Sequence, residues 1–191
     1  MTELSYEIFD IELFKNSYCD SKLKILMIAA CLVAIKSSRR LEIFEIALTK
    51  GATQEELIEA TSIGFLMGSS QLIQSYKSIL YISIKKHLKE EINPECIDDF
   101  FCLKNPSVQN GFSEFYNAVY SNNELNAKDK ELIAVAVSVV LKCNTCQESH
   151  ITKAYKFNAS PNEINEAEKI GKYVLASEAL STAEYIVQKG C

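Results

Sequence analysis

An all-α fold is predicted by three features of this chain. Apolar residues recur at three-and-four spacing almost throughout. Glycine and proline are scarce, at six and three. Two separated stretches also carry the same helix-start pattern. A many-stranded sheet would need more turn punctuation, whereas buried helices need only the periodicity and the caps.

Taken in order, Leu23, Leu26, Met27, Ala30, Cys31 and Ala34 form the first buried stripe, within the apolar run Ile25 to Ile35. Gly51 suits the left-handed stop of a following helix. Thr53-Gln54-Glu55-Glu56 then starts another, with Thr53 as cap and Glu56 closing a capping box. In that helix, Ile63-Gly-Phe-Leu-Met-Gly-Ser-Ser70 sets small residues beside large ones, which suits close helix approach either within the core or between subunits. His87, after Lys85-Lys86, reads as a solvated helix end. Asn93 to Gly111, with Pro94 and Pro106, reads as a connector with one short helix. Leu132, Val135, Ala136, Val139 and Val140 form the second stripe. The β-branched content of Leu132 to Leu141 would suit a strand, but its length and the Ala-Lys-Asp-Lys-Glu lead-in favour a buried helix. Ser160-Pro161-Asn162-Glu163 is a further capping box with proline at the first helical position.

The two capped starts expose a duplication. Gly51 to Ala60 aligns with Asn158 to Ala167 at an offset of 107 residues (Gly51 to Asn158). Carried upstream, that offset matches Ala47 with Ala154 and the two apolar runs with each other. The expected architecture is a two-copy helical repeat in a single all-α domain over 1–191, with a degenerate first copy at about 20–70 and an active copy at about 126–175. At the same offset Lys36, Arg39 and Ile43 stand where the second copy has Cys143, Cys146 and His150, so the first copy keeps the helices and lacks the chemistry.

A length of 191 residues, 48% hydrophobic and 24% charged, fits one globular domain. The net charge of -5 and the lack of a basic run argue against nucleic acid. The acidic N-terminus lacks the features of a signal peptide, and Ile25 to Ile35 is too short to span a bilayer, so no membrane role and a cytoplasmic location are expected. Seven cysteines, an odd number without an export signal, suggest reactive or metal-binding thiols rather than a disulfide framework. Cys31 reads as buried and inert, Cys96 and Cys102 as structural or incidental, and Cys191 as an exposed terminal thiol.

Chemistry concentrates in Cys143-Asn-Thr-Cys146-Gln-Glu-Ser-His150. If Cys143 lies near a helix start, Cys143 and Cys146 are one turn apart and can bridge. His150 follows Cys146 by one turn on the same face, where imidazole can take the thiol proton and hold the thiolate. The helix N-terminus favours Cys143 as the attacking thiol and the imidazole favours Cys146. Cys146 is preferred because a base also moves the proton. Two other readings compete. The cysteines can be buried small hydrophobes of a non-catalytic helical oligomer or redox sensor. Alternatively Cys143, Cys146 and His150 can be three zinc ligands, although no second cysteine or histidine pair is at hand to close a tetrahedral site.

With Glu131 upstream the spacing is E-x11-C-x2-C-x3-H, and from Glu131 to about Ala167 it resembles the alkylhydroperoxidase D-like branch of the carboxymuconolactone decarboxylase superfamily. On its own Glu131 would be read as a helix-start acid favouring the dipole. The resemblance implies that it starts a proton relay through His150 to the thiols, with Cys146 peroxidatic and Cys143 resolving. It implies an all-α, often two-copy chain that reduces hydroperoxides, in antioxidant defence, with no bound cofactor or metal. Electrons would come from a dithiol donor such as a lipoyl-bearing protein and could pass to a peroxiredoxin. It implies a homotrimer, with a hexamer of two trimers as runner-up. The decarboxylases that name the superfamily lack this dithiol, so lactone decarboxylation is not implied. Asn144 and Thr145 stand where some relatives carry an extra relay histidine.

Overall fold

The computed structural model describes residues 17–70, 106–121 and 124–189. The readings of His87, Cys96, Cys102, Cys191 and most of the connector fall outside those residues. All regular structure among the described residues is helical: α1 (Ser21–Ala34), α2 (Arg40–Thr49), α3 (residues 54–70), α4 (Pro106–Ser121), α5 (Ala127–Val140), α6 (Asn144–Lys156) and α7 (Pro161–Lys189). The connector expectation needs correcting at its end, because residues 106–111 already belong to the 16-residue helix α4.

Helices α1 and α5 form the centre. Leu26, Met27, Ala29, Ala30 and Cys31 in α1 and Leu132 through Val137 in α5 are fully buried. Burial on nearly all sides explains why both read as apolar runs rather than narrow stripes. α5 packs on α1, α6 and α7, and α1 also packs on α2 and α7. Both predicted capping boxes form reciprocally. Glu56 N–H donates to Thr53 Oγ1 at 3.1 Å and Thr53 N–H to Glu56 Oε2 at 2.9 Å. Glu163 N–H donates to Ser160 Oγ at 3.2 Å and Ser160 N–H to Glu163 Oε2 at 2.7 Å.

The two halves correspond element by element, in a register that differs from the sequence alignment over the first part. α1 and α5 are offset by 106 residues (Ser21 to Ala127), as are their caps Asp20 and Asn126 and the left-handed residues Lys36 and Lys142. The offset becomes 107 at the next left-handed pair, Gly51 and Asn158. The second copy therefore holds one more residue between its two turns, and Cys143 stands opposite Ser37 rather than Lys36. An ungapped alignment anchored on the capped helices cannot register that extra residue.

Charged residues lock the copies together in a crossed pattern. Buried Lys24 of α1 pairs with Glu166 of α7 at 2.6 Å, while buried Lys130 of α5 pairs with Glu59 of α3 at 2.6 Å. Each glutamate also accepts backbone N–H groups just before the partner copy's first helix. Glu166 takes Tyr18 and Cys19 at 2.8 and 2.6 Å, and Glu59 takes Leu125 at 2.8 Å. Small residues allow the equivalent helices to approach. A Cβ on Gly64 would sit 2.1 Å from the Ala30 carbonyl oxygen, and one on Gly171 2.6 Å from that of Ala136. The small face of Ile63 to Ser70 is thus spent inside the subunit, while Phe65 on the same helix is exposed.

Candidate active site

The turn after α5 places the first cysteine. Lys142 takes a left-handed φ of 55, as its first-copy counterpart Lys36 does at 58, a conformation a lysine side chain does not favour. Cys143 N–H reaches back to Ser138 O at 3.1 Å and Lys142 N–H to Val139 O at 3.0 Å. This is a Schellman closure of α5. Cys143 follows at once with extended backbone (φ -101, ψ 91) and serves as the N-cap of α6. One residue therefore ends one helix and begins the next.

Cys143 and Cys146 are joined by a disulfide with a Cα–Cα distance of 5.3 Å. Because Cys143 lies outside the helical backbone, the bridge closes without unwinding α6. Cys143 Sγ also accepts the Cys146 N–H at 3.3 Å, in the place a serine or aspartate cap would fill. The amides of that first turn stabilise negative charge on sulfur once the bridge is opened.

The fold-back of α6 along α5 brings the second pair together. His150 Nδ1 lies 2.7 Å from Glu131 Oε2, with both side chains largely shielded from water. A carboxylate on Nδ1 fixes the ring orientation and leaves Nε2 as the nitrogen that can exchange a proton. Cys146 and His150 sit one helical turn apart on α6. The four residues singled out in the sequence thus form two contacts, Cys143 with Cys146 and Glu131 with His150. Gln147 Nε2 donates to Glu168 Oε1 at 2.6 Å and ties α6 to α7 beside them.

Two supports were missed from the sequence. Lys130, next to Glu131, is clamped by Glu59 and donates to the Tyr120 carbonyl at 3.2 Å. Tyr120 stacks on Tyr116, with centroids 4.8 Å apart. The four-residue spacing of these tyrosines was a helical signal, obscured by reading the preceding stretch as a connector. Elsewhere, burial and then the nearby Glu166 and Glu163 charges push the Cys19 thiol up to about 12. Burial alone pushes up the fully enclosed Cys31 thiol. Both are inert structural thiols. Among the described residues no group of three or more His, Cys, Asp and Glu side chains is placed to hold a metal ion. No helix among them is long and apolar enough to cross a membrane.

The model of the carboxymuconolactone decarboxylase family matches residues 106–188. "Uncharacterized protein 4 in cox locus" of Paracoccus denitrificans is 31% identical over 77 residues, covering 40% of this chain and 69% of that protein. A solved structure from Burkholderia xenovorans, assigned as a gamma-carboxymuconolactone decarboxylase subunit, shares the fold. Its TM-score is 0.51 at 17% identity, over 88% of this chain and 80% of that one.

Proposed function

Because this chain belongs to the carboxymuconolactone decarboxylase family, we propose that it works in the alkylhydroperoxidase D-like manner, as a thiol-dependent hydroperoxide and disulfide reductase. The observation that carries the reading is a bridged Cys143–Cys146 pair on the helix that also presents His150 to Glu131. A lactone decarboxylase has no use for a paired thiol centre.

In the reduced protein His150, held by Glu131, takes the Cys146 proton. The thiolate attacks one peroxide oxygen and the O–O bond breaks. Cys146 becomes a sulfenic acid, and the departing alkoxide takes a proton and leaves as the alcohol. Cys143 then attacks the Cys146 sulfur, forming the disulfide and releasing water. An external dithiol, such as a reduced lipoyl group, returns two electrons and two protons through a mixed disulfide. Cycling of this kind suits a reducing, cytoplasmic compartment. The test is steady-state turnover of an organic hydroperoxide with a dithiol reductant. Absence of turnover, with both thiols still alkylatable after stoichiometric peroxide, would sink the reading.

His150→Phe tests the base. Alkylation rate of the reduced protein against pH should move upward, toward the free-thiol value of ~8.5, with the fold intact by circular dichroism. An unchanged profile would remove His150 from the mechanism. A second test concerns assembly. Phe65, Ile58, Tyr155, Phe157 and Leu180 remain exposed on one chain, and burying such groups between copies favours closed symmetry. Light scattering under reducing conditions should give a trimer, or a hexamer of two trimers. A stable species of 21.4 kDa would overturn the assembly claim.

A further inference from the structure

We propose that the Tyr120 hydroxyl is a positioning group for the Glu131–His150 pair, a neutral donor that hydrogen-bonds the Glu131 carboxylate when the Cys143–Cys146 dithiol is reduced. The inference rests on the relay reading above and adds a residue to it.

The starting point is an anomaly. With the disulfide closed, the Tyr120 hydroxyl is removed from solvent and has no hydrogen-bond partner among the described residues. Leaving such a group unpaired is costly, and buried hydroxyls in folded proteins are nearly always paired. Phenylalanine would fill the same space without that cost, so the oxygen points to a partner in another state of the site.

Its surroundings indicate which partner. The Tyr120 ring is held by Tyr116 and its backbone by Lys130, the residue before Glu131. The phenol is close enough to feel the Glu131 charge, which adds to burial in holding its proton on. The charged and titratable groups grouped here, among the described residues, are Glu59 from α3, Tyr116 from α4, Lys130 and Glu131 from α5 and His150 from α6. Lys130 and Glu59 form an ion pair at 2.6 Å, and His150 occupies Glu131 Oε2. Glu131 is the carboxylate whose charge acts on the phenol, and His150 engages only its Oε2, so the rest of that carboxylate is the acceptor assigned to Tyr120. No proton leaves Tyr120. Its role is to fix the carboxylate so that Oε2 stays on His150 while the imidazole exchanges protons with Cys146.

The chain has no tryptophan, so its near-ultraviolet absorption reports tyrosine. Reducing the disulfide of the wild-type protein should red-shift part of the tyrosine band as one phenol becomes a donor to a carboxylate, and Tyr120→Phe should abolish that difference signal. In the alkylation profile of the reduced protein, Tyr120→Phe should raise the midpoint by about half to one pH unit, on the scale of one weakened charge-assisted hydrogen bond. The thermal midpoint of the oxidised protein should not fall, since no hydrogen bond is lost there. No tyrosine signal on reduction, a signal that survives Tyr120→Phe, or a profile that stays or moves down would each overturn the proposal. His150→Phe in the same assay separates the two levels. If it shifts the profile and Tyr120→Phe does not, only this inference falls. If neither does, the relay reading falls with it.

Discussion

Replacing Cys146 with serine should abolish hydroperoxide turnover, by at least ~10³-fold, because a serine hydroxyl does not ionise near neutral pH and cannot carry the sulfenic acid. Cys143→Ser should behave differently. It should consume one equivalent of peroxide, stop at the sulfenic acid on Cys146 and yield a dimedone adduct at that residue. The contrast assigns the two sulfurs, which the closed bridge leaves equivalent in connectivity. Should the adduct form on Cys143 in the Cys146→Ser protein instead, the attacking and resolving roles are reversed. Wild-type rates in both variants would remove the dithiol from catalysis altogether. Neither substitution should unfold the chain, since Cys143 is replaced by a good N-cap residue and Cys146 is only partly buried.

Glu166→Ala should cause the largest loss of stability. Lys24 is fully buried beside Glu166, and removing one partner of a buried ion pair costs about 3–5 kcal/mol. Against a total of roughly 5–15 kcal/mol, that is a large share. The alanine also leaves the Tyr18 and Cys19 amides without their acceptor. Glu166→Gln keeps an oxygen for those amides and should lose less. Urea unfolding of the three proteins at neutral pH checks the order, and equal stability of all three would refute the latch. Burial alone would raise the Glu166 pKa, but Lys24 and the two backbone amides outweigh it and hold the carboxyl below its ordinary value. A depressed carboxyl contributes stability that is full above the unfolded value of about 4.3 and is lost as pH falls through the folded one. The wild-type protein should therefore lose stability faster than Glu166→Gln as pH drops below about 4.3.

Local features carried most of what could be read from the chain. The capping boxes at Thr53 and Ser160, the left-handed Gly51 and the buried runs of α1 and α5 all depend on residues within a turn or two of one another, and such signals survive in a one-dimensional string. α4 was only half visible, because Pro106 and Gly111 look like loop punctuation while a helix tolerates both once its other residues pack. The repeat was legible in its capped helices, yet its register slipped by one residue where the extra position of the second copy falls.

By itself the sequence determined that the fold is helical, that only the second copy carries thiols and an imidazole at helical spacing, and which family motif they match. Only the tertiary structure decided that Glu131 reaches His150. They are 19 residues apart, and nothing in the spacing states the angle at which α6 turns back on α5. That angle is set by the left-handed Lys142 and by packing over the whole core. The crossed Lys24–Glu166 and Lys130–Glu59 pairs and the solitary Tyr120 hydroxyl belong to the same class. Each depends on contacts between helices distant in sequence, where partner choice follows from the three-dimensional burial of charge and not from any local periodicity.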